Sequence, residues 1–185
     1  TVKAMNFQVK QYLPMLLSSV ALDWTRVGER TDDEGNKKQQ IFLIAVPFNQ
    51  IESYKRIFSA VNLKLIAIEV EGVSLARALT GGIKESVLIV DIGSRSTAIL
   101  IAQDGSLKFS SQTDFAGASL TQSLATGLNI AVSRAEVIKR QKGLSGLGMG
   151  AERDLSTQIL TILDVIINET KRVKDNYESN YRHTV

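Results

Sequence analysis

Leu88-Ile89-Val90-Asp91-Ile92-Gly93-Ser94-Arg95-Ser96-Thr97 is the stretch on which the fold turns. An apolar run with β-branched members ends in an aspartate, a glycine follows two positions later, and hydroxyl residues open the next segment. This pattern reads as a buried strand, a tight turn and a second strand. Gly93 carries no Cβ to hold a ligand away from the backbone, and successive amides in such a turn form an anion-binding concavity. Ser94, Ser96 and Thr97 add hydroxyl donors. Asp91 is suited to hold Mg²⁺ through water, or to orient a water for attack on a terminal phosphate. Asp-any-Gly also recurs by chance, and the plainer alternative is a tight hairpin whose aspartate only caps the turn.

Downstream, Ser86–Asp91, Thr97–Gln103 and Ser106–Thr113 give three successive strand signals. Asp104-Gly105 is a two-residue hairpin turn in which both central positions favour positive φ. A helix follows around Ser119–Gly127. Ser133-Arg134-Ala135-Glu136 fits a capping box that opens another helix, running to about Lys142. The four glycines of Gly143–Gly150 form a flexible connection. A long amphipathic helix is then expected over about Asp154–Tyr177, with Leu155, Ile159, Ile162, Leu163, Ile166, Val173 and Tyr177 on one stripe.

Upstream, a helix over Val2–Leu13 is stopped by Pro14. A strand over Val20–Val27, an exposed charged hairpin loop over Gly28–Gln40 and a buried strand over Ile41–Val46 come next. A helix after Pro47 carries Ile51, Tyr54, Ile57, Phe58 and Val61 at spacings of three and four, a stripe expected to be core. Leu63–Val70 reads as a strand and Glu71–Leu79 as a short helix. Thr80-Gly81-Gly82 marks a seam, dividing the chain into a small α/β domain, 1–79, and a second domain, 80–185.

Composition narrows the function. The 185 residues are 44% hydrophobic and 22% charged, enough to bury a core, and the formal charge is only +3. Lys and Arg are scattered among acidic residues without a basic face or an RNA- or DNA-binding module, which argues against nucleic-acid binding. Cysteine is absent, and His183 is the only histidine, so thiolate and histidine metal sites are excluded. No apolar run nears the ~20 residues of a membrane span, and no secretion signal is visible. The opening residues read as the middle of a helix.

Several weak motifs in a fixed order resemble the actin-like ATPase superfamily, and within it the PilM family of type IV pilus assembly proteins. Gln11-Tyr12-Leu13-Pro14 with Val20-Ala21-Leu22-Asp23-Trp24 matches that family's entry into a small extra subdomain. Ile44-Ala45-Val46-Pro47 with the helix after it, and Glu69-Val70-Glu71-Gly72 with Ala76-Arg77-Ala78, follow in the family's order. So do Val90-Asp91-Ile92-Gly93, Phe115-Ala116-Gly117-Ala118-Ser119-Leu120-Thr121 and Ala135-Glu136-Val137-Ile138-Lys139. The subdomain layout is similar to that of the cell-division protein FtsA.

The resemblance implies an α/β, actin-like (ribonuclease H-like) fold, present in part, with a small FtsA-like subdomain. It implies ATP and Mg²⁺ as cofactors, with Gly93, Ser94 and Ser96 on the terminal phosphates. Gly117 would lie near the nucleotide at a helix N-terminus, and Glu136 and Lys139 near the ribose and adenine. Plainer alternatives stand beside these: Glu136 bonding back to Ser133, Lys139 solvated, Gly117 permitting a turn. Ala116 departs from the family's first of two glycines and is expected to crowd the phosphates. The family's first phosphate hairpin belongs before residue 1 and its adenosine loop beyond residue 185. The chain is therefore expected to be a piece carrying most of one half-site, binding ATP weakly or not at all by itself.

The function implied is a cytoplasmic ATP-binding scaffold at the inner face of the inner membrane, docking the N-terminal tail of a PilN-like protein, with at most weak ATPase activity in the longer parent. A small-metabolite kinase of the same superfamily and a nucleotide-free scaffold of type II secretion are the alternatives. Loss of packing partners along the terminal helix suggests self-association.

Overall fold

The computed structural model describes residues 13, 16–32, 34–143, 151–181 and 185. Residues 2–12 of the expected N-terminal helix and the glycine-rich stretch after Gly143 lie outside them. The chain divides into two compact units, Thr1–Ser74 and Leu75–Val185.

In the first unit β1 (Val20–Thr31) and β2 (Lys37–Pro47) form an antiparallel hairpin, with a register shift between Arg26 and Gly28. Pairing continues out to Thr31 opposite Lys37, through residues the sequence reading assigned to a loop. On an exposed ribbon the ladder needs no apolar side chains, so polarity alone does not end it. The turn is organised by Asp32, whose carboxylate accepts from the Asn36 amide (2.7 Å) and pairs with Lys38 at 3.0 Å. Gly35 takes φ 84° there.

Helix α1 (Phe48–Ala60) follows Pro47, which sits at its N-cap. Its apolar stripe is wider than what covers it. Ile51 and Phe58 are half-buried, whereas Tyr54, Ile57 and Val61 are exposed, so the expectation of a core stripe fails for that edge. The strand expected over Leu63–Val70 is also not formed: no strand pairs with it among the described residues. An alternating pattern specifies which faces side chains take, but a strand exists only beside a hydrogen-bonding neighbour.

Helix α2 (Glu71–Thr80) runs across the division between the units. The Thr80-Gly81-Gly82 stretch belongs to the second unit and is bound to its sheet. The Gly105 amide reaches Thr80 O (3.1 Å) and Thr80 Oγ1 (3.0 Å), Asp104 N donates to Ile83 O, and Gly82 N donates to Asp104 Oδ1. Asp104 and Gly105 take φ of 48° and 72°, as the hairpin turn requires.

The second unit is built on an antiparallel meander of β3 (Val87–Ile92), β4 (Thr97–Gln103) and β5 (Ser106–Thr113). Side chains alternate between its two faces. On one, Leu88, Ile99, Ile101 and Phe109 meet Val173 and Tyr177 of the long helix α5 (Ala151–Tyr181). Tyr177 stands edge-on to Phe109 at 6.1 Å. The register places Asp91 opposite Ala98, on the other face, where Leu100 and Ala102 are buried.

Helices α3 (Gly117–Gly127) and α4 (Val132–Lys142) form a second cluster with α5, through Leu124, Ala125, Ala135 and Ile159. Helix α5 thus buries Ile159 and Ile166 toward one end and Val173 and Tyr177 toward the other. Its stripe has packing partners within the chain, which corrects the expectation of an uncovered terminal helix.

Candidate functional site

Gly93-Ser94-Arg95-Ser96 joins β3 to β4. The Gly93 amide donates to Ser96 O at 3.0 Å and closes the turn. A Cβ built on Gly93 would lie 2.9 Å from that same oxygen, closer than real contacts allow. Glycine is therefore required by the backbone's approach to itself, before any ligand is considered.

The loop is then tied to the start of α3. Gly117 N donates to Gly93 O (3.0 Å) and Ala118 N to Ser94 O (2.8 Å). These are the first two amides of the helix, orphans in an isolated α-helix, and here they are satisfied by loop carbonyls. A Cβ on Gly117 would meet Gly93 O at 3.2 Å, so its place is also set by close approach. Ser119 completes the cap, its hydroxyl accepting from Ala116 N at 3.3 Å, which is why the helix begins two residues before the sequence suggests. Ala116 is fully buried. Its methyl group points into the fold, and the expected crowding of the phosphates does not follow.

Gly93 O, Ser94 O and Ser96 O are thus held, while other polar groups of the loop are left unpaired. Among the described residues, the amides of Ser94, Arg95 and Ser96 have no hydrogen-bond partner, and neither do the hydroxyls of Ser94 and Ser96. Ser94 and Arg95 are exposed and Ser96 is half-buried. The Asp91 carboxylate is half-buried and likewise without a hydrogen bond or ion pair among the described residues. Thr97 leaves this set. Its side chain is completely buried and its hydroxyl donates to Phe115 O at 2.6 Å, so it fastens β4 to the segment before α3.

Glu136 and Lys139 come together one layer behind the loop. Lys139 Nζ donates to Gly117 O (3.0 Å) and to Thr121 Oγ1 (2.8 Å), and pairs with Glu136 Oε2 at 2.7 Å. The ammonium thus makes two hydrogen bonds and one ion pair within the chain. Glu136 Oε2 also lies 2.5 Å from the Thr121 hydroxyl, while Oε1 pairs with Arg140 Nε at 2.7 Å. The Lys139 ammonium, the Thr121 hydroxyl and Arg140 pull the Glu136 carboxyl down to about 2. The capping box expected of Ser133 and Glu136 is absent. The N-cap is Ala131, and Glu136 turns toward α3 because stronger, charged partners stand there.

Sequence reasoning missed Thr121, the buried hydroxyl at the centre of this cluster, because its spacing from Glu136 signals nothing until α3 and α4 pack. It also passed over Arg95, visible inside the quoted stretch as the cation at the loop's tip. An open groove of about 670 Å³ along α3 is lined by Ala118, Ser119, Gln122, Ser123, Thr126 and Ile162. It contains none of these functional candidates. No cluster of three metal-ligating side chains occurs among the described residues.

Several solved structures resemble this chain in fold. MreB5 of Spiroplasma citri bound to AMPPNP matches with 20% identity, over 71% of this chain and 48% of that chain, at a TM-score of 0.56. The ethanolamine utilization protein EutJ from Carboxydothermus hydrogenoformans matches at 25% identity, 66% and 42% coverage, and a TM-score of 0.54. The protein has an actin-like ATPase fold. The structure of a PilM–PilN type IV pilus biogenesis complex matches 95% of this chain and 50% of that one, with 18% identity and a TM-score of 0.72. The profile of the type IV pilus assembly protein PilM family matches residues 3–152, and the chain belongs to that family. No curated protein sequence matches it. The chain spans about half the length of the solved structures it resembles.

Among the described residues no helix is long and apolar enough to cross a membrane.

Proposed function

We propose that the Gly93–Ser96 loop is one phosphate-binding wall of an ATP site in a scaffold protein of type IV pilus assembly. The observation that carries the nucleotide reading is the run of amides at Ser94, Arg95 and Ser96, unpartnered among the described residues beside two hydroxyls that are likewise unpartnered there. Such a row concentrates partial positive charge and suits phosphate oxygens. Gly93 keeps the turn tight, α3 holds its carbonyls back, and exposed Arg95 adds a full charge. The reading is supported by the likeness to MreB5 of Spiroplasma citri, which has been solved with ADP and with AMPPNP.

Asp91 fits a Mg²⁺ role by the chemistry of its surroundings. Magnesium commonly takes one or two carboxylates and completes its shell with phosphate oxygens and water, and Asp91 is half-buried and has no ion pair among the described residues. When bound, the ion would neutralise charge on the terminal phosphates. Asp91 would hold it, and the loop amides would fix the phosphate oxygens beside it.

The partner we propose is the cytoplasmic N-terminal tail of a PilN-like inner-membrane protein, with the scaffold at the inner face of that membrane. Family membership and the likeness to a PilM–PilN complex support this.

The nucleotide reading is tested by titrating the chain with Mg-ATP while following the Ser94, Arg95 and Ser96 amides by NMR. Weak, saturable shifts confined to this loop and its neighbours are expected. Micromolar affinity by calorimetry would show that one wall is not the whole site here, and no shift at millimolar ligand would remove the nucleotide reading.

A further inference from the structure

Lys139 sits where the family resemblance implies a contact with the ribose or adenine, yet its ammonium is already engaged by three groups of the chain itself. Its three acceptors are Gly117 O, Thr121 Oγ1 and Glu136 Oε2, at 3.0, 2.8 and 2.7 Å, and its side chain is 20% exposed. A ligand would compete with these three groups for the ammonium.

What the cluster holds is informative. Gly117 O is the carbonyl of the first residue of α3, and the amide of that same residue grips Gly93 O. A continuous line of contacts therefore runs from Glu136 through Lys139 to the first turn of α3, and from there to the loop carbonyls of Gly93 and Ser94. Thr121 braces the line from within the helix, its hydroxyl lying 2.9 Å from Gly117 O and 2.5 Å from Glu136 Oε2. One proton serves those two acceptors, so Thr121 donates to one while accepting from Lys139.

We propose that Lys139 and Thr121 are positioning residues: they fix the first turn of α3, and through it hold the Gly93–Ser96 loop in the conformation that leaves its amides unpaired. Lys139 then acts on phosphate affinity without touching the nucleotide. The functional purpose rests on the phosphate reading above, whereas the mechanical claim concerns the ligand-free chain and is tested there.

Amide hydrogen exchange by NMR on the 185-residue chain separates the two roles. A positioning Lys139 predicts that Lys139→Met speeds exchange at Gly117 and Ala118 on the order of tenfold, the effect of losing one charge-assisted bond, with β4 amides such as Ile99–Ala102 unchanged. Thr121→Val should act in the same direction, and Thr121→Ser, which keeps the hydroxyl, should restore slow exchange. Unchanged exchange at Gly117 and Ala118 in both Lys139→Met and Thr121→Val overturns the proposal. So does a parallel rise at the β4 amides, which would mark general destabilisation. Failure of Thr121→Ser to restore slow exchange also counts against it. Mg-tripolyphosphate, which lacks ribose and adenine, supplies an independent arm. Loss of its loop shifts in Lys139→Met supports positioning, and retention of tripolyphosphate shifts alongside loss of ATP shifts returns Lys139 to a sugar or base contact. If wild type shifts with neither ligand, the phosphate reading fails and the exchange results still decide the mechanical claim.

Discussion

Replacing Gly93 with alanine tests how the loop is held. The new Cβ would stand 2.9 Å from Ser96 O and needs about 3.4 Å for an ordinary contact, so one side of the turn must move by half an ångström. That shift strains the Gly93 N–Ser96 O bond and pulls Gly93 O from the Gly117 amide, both now at 3.0 Å. Losing one or two such bonds costs about 1–3 kcal/mol. The reduced freedom of the unfolded alanine chain offsets roughly 0.4–1 kcal/mol of this. A net loss of about 1–2 kcal/mol corresponds to a fall of roughly 4–8 °C in the melting temperature of a unit this size. Gly117→Ala is the internal control. Its Cβ meets Gly93 O at 3.2 Å, a smaller conflict at a helical position where alanine is otherwise preferred, so its melting temperature should drop less. Thermal unfolding followed by far-ultraviolet circular dichroism reads both. A Gly93→Ala melting curve superimposing on wild type, with Gly117 amide protection intact, would refute the argument that the loop's shape is set by backbone approach.

Three further outcomes follow from the same geometry. Carbon-13 shifts of the Glu136 carboxyl should titrate near pH 2 and move up in Lys139→Met. Because the folded value lies below the ordinary 4.5, the cluster's contribution to stability is complete above that pH and fades as pH falls toward 2. A wild-type midpoint near 4.5 would mean the contacts are not made in solution. Thr97→Val keeps the shape but leaves the Phe115 carbonyl without its buried donor, and should cost about 1–3 kcal/mol in urea unfolding. Loop shifts with Mg-ATP should persist, and their loss would return Thr97 to the ligand. Leu124→Ala, at a fully buried position between α3 and its neighbours, should cost roughly 2–5 kcal/mol by the same assay.

The sequence by itself determined the meander, its Asp104-Gly105 turn and the helices after it, because strand alternation, turn glycines and helical stripes act over a few residues. It also marked Asp91, Gly93, Ser94 and Ser96 as candidates, since the residue types of a single loop are written in consecutive positions. Only the tertiary structure decided that Thr97 faces inward, that Ala116 is buried, and that Lys139 and Glu136 meet Thr121 behind the loop. It also decided that Leu63–Val70, with a strand's pattern, forms no strand among the described residues, and that Tyr54 and Ile57 are left uncovered. Periodicity fixes which side of a segment is apolar. Whether anything packs there, and which donor meets which acceptor across helices, depends on contacts between residues far apart in the chain, and no local pattern records them.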